Sequence, residues 1–413
     1  MISARRIVLA CLVLGVTVAI ALTAPLGGDY PGPACPTCDY AGPPIEALVH
    51  GHLKLFFETE PVMGSVSLLL RAPFAALSYV GGHSLRWEYR LGSLACLLGL
   101  ALLAWMLTSA MARRGRSAHP QMLVAALLIA SPLTFTALSW GHPEELFAGS
   151  LCVAAVLLVV AHRPLPAGFV LGLAIATKPW AWLAILPVLL AADGGRRRVL
   201  VSAAASAGIL TLPMLLGDPS RFLDMAHAFG AGGSGVTPTN VWWPYAHAAG
   251  IQIGPHGSVY VYAVPSWIAL LAHPLVVVVA VALPAGIWIR RRILEPADAL
   301  YLLAAVLLIR CVLDPITYSY HNAPALIALI SGEAVSRRRI PYVSLMSTAC
   351  LWTIKQLVAP AGKPDLLNRA YLLWAVATLV YLLGALFAPN AIAELPARAL
   401  RGHARTDAAS AGW

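Results

Sequence analysis

In a chain this apolar, the few charged residues carry the most information. Trp140-Gly141-His142-Pro143-Glu144-Glu145 puts a histidine and two carboxylates directly after an apolar run. Asp29 and Asp39 stand in a polar stretch behind the first apolar block, and Arg71 interrupts a later run. Lys178 precedes Pro179 in the middle of another apolar stretch, while Arg310, Asp314 and His321 flank a turn near residue 315. An ionisable group at membrane depth is costly unless paired or wetted, so each is a functional candidate. A carboxylate at the membrane surface can take the proton of a hydroxyl. Arginine, lysine and histidine can hold a phosphate leaving group or headgroup. Plainer roles stand beside these. Arg71 can snorkel to lipid headgroups, Trp242 and Trp243 can anchor an interface, and Lys178 can cap a backbone carbonyl. His321 can simply open a helix, and Glu58 and Glu60 read as solvated loop charges.

These residues need a membrane frame. Of 413 residues, 59% are hydrophobic and 11% charged, and the mean hydropathy is +0.77. An ordinary soluble domain is about 25% charged. That balance excludes a soluble enzyme, a disordered chain and a nucleic-acid-binding protein. The apolar residues come in long blocks, without the alternation of an outer-membrane barrel. At about 20 residues per crossing they suffice for roughly ten to twelve helices. The expected class is all-α, a polytopic transmembrane bundle.

The net charge of +10 encodes topology. Only Lys54, Lys178, Lys355 and Lys363 are lysines, and many of the arginines form short clusters between apolar blocks. The positive-inside rule assigns such clusters to the cytoplasm. An uncleaved first helix over 7–26 then starts inside, and residues 27–87 form a first external loop. Its second half, 64–80, reads as a helix along the membrane surface, because a spanning helix would send Arg113, Arg114 and Arg116 outside. Crossings follow over 91–111, 121–139 and 146–161. The stretch 167–192 is read as a hairpin broken at Lys178-Pro179, which keeps Arg196, Arg197 and Arg198 inside. Irregular backbone at that depth is tolerated only where it is protein-buried or lines a cavity. A crossing over 199–216 leads to a second external loop, 217–257. Further crossings are expected over 258–289 (tilted or proline-broken), 300–313, 323–330, 342–359 and 372–387. Residues 1–390 form one integral-membrane domain, 391–413 a basic cytoplasmic tail, and both termini lie in the cytoplasm of a multi-pass cell-membrane protein.

Cys35-Pro36-Thr37-Cys38 is the one close cysteine pair. It lacks the further ligands of a zinc site and the βαβ context of a thioredoxin-like motif. A local disulfide and two free thiols remain as readings. No metal and no cofactor are expected.

Four segments together resemble the GT-C superfamily of membrane glycosyltransferases, and most nearly its polyprenol-phosphate-mannose-dependent enzymes of the phosphatidylinositol-mannoside type. The first runs from Cys38-Asp39-Tyr40 through an apolar helix ending near Gly51, then Phe56-Phe57 and Pro61-Val62-Met63-Gly64, to Leu68-Leu69-Leu70-Arg71-Ala72-Pro73-Phe74. The second is Trp140-Gly141-His142-Pro143-Glu144, although such enzymes often have Gln where His142 stands. The third, Ala167-Gly168 to Gly172-Leu173-Ala174 to Thr177-Lys178-Pro179, is similar to the family's A-G-x-x-x-G-L-A-x-x-x-K-P stretch. Ser319-Tyr320-His321-Asn322 resembles a Ser-Trp-x-His element opening a late helix.

The resemblance implies an inverting transfer of a sugar, by family default mannose, from a polyprenyl-phosphate donor to a lipid or glycan acceptor hydroxyl at the external face. Asp39 would be the base. Lys178, His321, Arg310 and Arg71 would bind the donor phosphate, and His142, Glu144, Asp29 and Trp243 would line the substrate pocket. The implied partners are donor, acceptor and membrane lipids, with no nucleic acid. The rival class is a lipid or small-solute transporter or flippase, since broken helices with charged tips also occur there. Against it, the chain has no inverted repeat and its two long loops lie on one side.

Overall fold

The computed structural model describes residues 4–30, 40–59, 64–230, 235–254, 257–290, 293–336 and 340–387. Asp39, Cys35 and Cys38, and with them the expected base and the cysteine-pair readings, lie outside the described residues. The architecture is an all-α polytopic bundle. In chain order the helices are α1 Ala4–Thr23, α2 Gly42–Val49, α3 Leu53–Thr59, α4 Ser65–Ala76, α5 Leu85–Arg113, α6 Ala118–Ile129 and α7 Pro132–Trp140. Next come α8 Pro143–Val160, α9 Pro164–Thr177, α10 Ile185–Ala191, α11 Arg196–Gly217 and α12 Pro219–Gly230. After a small sheet follow α13 Ser266–Arg290, α14 Pro296–Leu313, α15 Ala323–Val335, α16 Tyr342–Thr353 and α17 Pro364–Phe387. Proline opens α7, α8, α9 and α14, where its missing N–H needs no partner and its fixed φ suits the first turn.

Among the described residues, eight helical segments are long and apolar enough to cross a membrane. They are α1, α5, α6–α7 taken together, α8, α11, α13, α14 and α17. Shorter helices complete the bundle: α9, α10 and the almost wholly buried α15 lie within it, and α16 lies on its outside with most residues exposed. The innermost crossings, α8 and α14, are two-thirds buried, whereas α1 and α11 bury only about a fifth of their length and face outward. One continuous apolar core runs through the bundle.

The stretch 167–192 is broken where expected. Helix α9 stops at Thr177, Lys178 is extended, and Pro179–Ala184 continues as a 3-10 segment into α10. Its two feet meet, since a side-chain carbon on Gly195 would come within 2.9 Å of Pro164. Helices α9 and α11 consequently run parallel. Ser202 Oγ donates to Leu165 O (2.9 Å) and Ser206 Oγ to Phe169 O (3.2 Å). Gly168 and Gly172 make this seam possible. A methyl group at either would collide with α11, with Val199 O and with Ser206 Oγ. The A-G-x-x-x-G string is thus a close-packing face of the kind small residues build between membrane helices.

Two expectations need correction. The crossing drawn over 258–289 starts only at Ser266, and the residues before it form strand β3, Gly257–Ala263. This strand pairs antiparallel with β1, Gly235–Val236, and β2, His247–Gly254, in the order β1-β3-β2. Val259-Tyr260-Val261-Tyr262 is β-branched and aromatic, which suits a pleated strand, yet it reads as apolar in any hydropathy window. The first loop is also drawn inward. Arg71 on α4 has no exposed side-chain surface, so it does not snorkel.

Candidate active site

The end of the bundle away from the arginine clusters gathers polar side chains from six segments. Its scaffold is the corner between α7 and α8. Gly141 ends α7 in the left-handed region, with φ +102°, a conformation that favours glycine. The chain after α1 lies directly on this corner. Gly28 N donates to Ser139 O (3.0 Å) and Asp29 N to Trp140 O (2.9 Å), and a side chain on Gly27 would collide with Gly141. Asp29 therefore faces His142.

The side chains form a chain of contacts running inward. His142 Nε2 lies 3.0 Å from Asp29 Oδ2, and its Nδ1 lies 2.8 Å from Glu144 Oε1. Glu144 is fully buried and also meets Lys178 Nζ at 3.3 Å and Arg71 Nη1 at 3.4 Å. Lys178 continues to Glu145 Oε1 at 3.6 Å, which accepts from Trp180 Nε1 at 3.2 Å. Arg310, near the end of α14, stacks over the Trp180 ring at 5.4 Å. Buried charges are costly unless paired and hydrogen-bonded, and this network meets the pairing half of that condition by interleaving acids and bases. Among the described residues, Arg71 Nε and Nη2 and Glu145 Oε2 still find no hydrogen-bond partner. Asp29 is the carboxylate of the network with substantial exposure, 36% of its side chain.

Aromatic rings close the other side. His142 stacks on Tyr320 at 4.6 Å, Tyr320 meets His321 edge-on at 4.5 Å, and Trp140 stacks on Tyr318 at 5.2 Å. His321 lies in the 3-10 turn before α15, where its Nδ1 accepts from Tyr318 N at 3.2 Å. That bond leaves the ring proton on Nε2. Burial pushes the His321 pKa well below its usual value, and Arg310, Lys178 and His142 push it further. At neutral pH it is an uncharged donor. Below the network, Tyr30 packs under Arg71 (5.3 Å to the ring centroid) and donates to Glu88 Oε1 at 2.8 Å. Burial raises the Tyr30 pKa well above the ordinary phenol value, so this proton stays in place.

The structure brings together Asp29, Arg71, His142, Glu144, Lys178, Arg310 and His321 of the residues singled out from sequence. Trp243 is elsewhere. It is buried in a separate cluster with Val236, Val264 and Ile268, and its Nε1 donates to Asp365 Oδ1 at 2.8 Å. It anchors the small sheet to the start of α17. Sequence reading flagged Glu145 as a candidate but gave it no role in the site, and it missed Tyr30, Trp180 and Tyr320. Each directly adjoins a chosen residue or lies two positions from one, and that adjacency was the available signal. Among the described residues, no group of three His, Cys, Asp or Glu side chains is arranged to hold a metal ion.

The fold and its buried acid–base network are those of a polytopic membrane protein, and the sequence defines its kind as a membrane glycosyltransferase. The chain belongs to glycosyltransferase family 87, whose model matches residues 65–315, more than half its length. Arg71, His142, Glu144, Lys178 and Arg310 fall inside the matched region, and Asp29 and His321 outside it. No curated protein matches the sequence. Among solved structures, the chain is similar to the crystal structure of ArnT from Cupriavidus metallidurans bound to undecaprenyl phosphate. Identity is 15% and the TM-score 0.49, over 93% of this chain and 78% of that one.

Proposed function

We propose that this membrane glycosyltransferase moves a sugar, mannose by the resemblance drawn above, from a polyprenyl-phosphate donor to an acceptor hydroxyl on a lipid or glycan. The reaction is a single inverting displacement. The acceptor oxygen bonds to the anomeric carbon as the bond from that carbon to the phosphate oxygen breaks, and a first-loop aspartate takes the acceptor proton. The leaving polyprenyl phosphate is stabilised by Lys178, Arg310 and Arg71 as cations and by His321 as a neutral hydrogen-bond donor. The observation that carries this reading is the buried network joining Asp29, His142, Glu144 and Lys178 at one end of the bundle. Residues 27–87 and 217–257 then face the extracytoplasmic side.

Asp39, directly before the surface helix α2, is the base on the resemblance. A specific observation supports a second assignment, Asp29, whose carboxylate is half-exposed and held by His142. Full-length protein in nanodiscs, given labelled polyprenyl-phosphate mannose and a lipid and glycan extract, tests both. Asp39→Asn is expected to abolish product while donor binding persists. If Asp39→Asn keeps full activity and Asp29→Asn loses it, the base is Asp29. Product formed equally by both variants would sink the carboxylate-base mechanism, and flux without product would favour a transporter.

A further inference from the structure

The end of the bundle opposite the acid–base network holds a cavity of about 740 Å³. It opens between the C-terminal halves of α5 and α8, and the N-terminal ends of α1 and α14 complete it. Its walls are apolar, with Trp105, Leu107, Leu157 and Leu158 among them. Among the described residues, its charged lining residues are Arg6, Arg113, Arg114 and Arg163, and none is a carboxylate. Glu295, beside the lining residue Pro296, is not part of the wall.

The arginines are largely uncommitted. Arg114 Nη1 donates to Val335 O. Among the described residues, no hydrogen bond or ion pair engages the side chains of Arg6, Arg113 or Arg163. Four like charges around an apolar crevice repel one another, and three of them, Arg113, Arg114 and Arg163, are exposed and open to a ligand. A ligand suited to both features carries hydrocarbon and negative charge on one molecule. Planar guanidinium groups match phosphate oxygens bidentately, and basic pockets between membrane helices take anionic headgroups. The volume lies in the usual range for a specific small-molecule site, about 300–1,000 Å³. The basic tail is a poor alternative occupant. It brings Arg398, Arg401 and Arg405 against only Glu394 and Asp407, so it adds no negative surplus.

We propose that this cavity is a binding site for one anionic glycerophospholipid, with its phosphate on Arg113 and Arg163 and an acyl chain along Trp105 and Leu158. The site is separate from the transfer reaction and does not depend on that reading.

Full-length protein, purified in a neutral detergent, is examined by native mass spectrometry and thermal unfolding with three probes: dioleoyl phosphatidylglycerol, dioleoyl phosphatidylcholine and inorganic phosphate. Phosphatidylglycerol is expected to give a one-to-one adduct and a rise in Tm of several degrees, with no such effect from the other two. The double variant Arg113→Gln/Arg163→Gln should weaken the adduct at least tenfold. Arg197→Gln/Arg198→Gln, a pair that does not line the cavity, should keep it. Ala110→Trp fills the crevice while keeping all four arginines in the chain and should also lose it. Equal shifts from phosphatidylcholine or from phosphate alone overturn the proposal. So does an adduct that survives Ala110→Trp, because arginines at the surface would then suffice. Should the double arginine variant fail to fold, the Ala110→Trp arm still decides the matter.

Discussion

Lys178 shows at the scale of one residue how the network works. Its ammonium bridges Glu144 and Glu145 in the resting site, so it is already positioned and desolvated before any phosphate arrives. Lys178→Ala is expected to lower kcat by about 10²–10³-fold, the usual cost of removing one pre-organised donor from a developing anion. Steady-state assays would show this with a smaller change in KM, and a KM effect alone would make Lys178 a ground-state binder. His321 predicts a pH effect of definite sign. Its pKa in the empty site is held far below the usual histidine value by burial and three cationic or polar neighbours. A bound phosphate offsets those neighbours and raises the pKa, so binding takes up a proton only below that raised pKa, and above it His321 stays a neutral donor. Affinity for the product, polyprenyl phosphate, should therefore strengthen as pH falls through the bound-state pKa, by at most about tenfold per pH unit. Titration calorimetry in buffers of different ionisation enthalpy measures the uptake directly. His321→Gln should abolish it, and unchanged uptake would assign the proton to another group.

At the scale of elements, the seam between α9 and α11 decides where Lys178 points. Gly168 and Gly172 let the two backbones touch, and the lysine follows at the end of the same short helix. Gly172→Leu cannot be accommodated against Ser206 and Ala203 without separating the helices. The expected result is a Tm lowered by several degrees in detergent and an activity loss well beyond tenfold, since an ångström of misplacement can cost about 10²-fold. Normal Tm and activity would mean that the seam opens freely. This element was legible in the sequence because the arginines downstream fix which side the chain returns to, and Lys178-Pro179 offers the place to break. The strand β3 was hidden, because Val259 to Val264 reads as apolar and only Pro265-Ser266 divides it from α13. The pairing of Arg71 with Glu144 was hidden for a different reason. The two are 73 positions apart, and only the packing of α4 against α5 and α9 brings them together.

The whole molecule is polarised along its axis, and that polarity carries the last prediction. Arg113, Arg114, Arg163, Arg196, Arg197, Arg198 and Arg290 lie at the ends of α5, α8, α11 and α13 that point away from the acid–base network. Moving such clusters across a bilayer is what the positive-inside rule disfavours, so the arginine end should be cytoplasmic and the network end external. Serine 220 at the start of α12 and His119 at the start of α6 are exposed residues at opposite ends of crossings. In a variant with all seven native cysteines replaced, Ser220→Cys should react with a membrane-impermeant maleimide in intact cells. His119→Cys should react only after the cells are opened. The reverse pattern would put the transfer site on the cytoplasmic side, where an external polyprenyl-phosphate sugar could not reach it. It would leave the geometry of the network intact and change only the compartment that supplies its substrates.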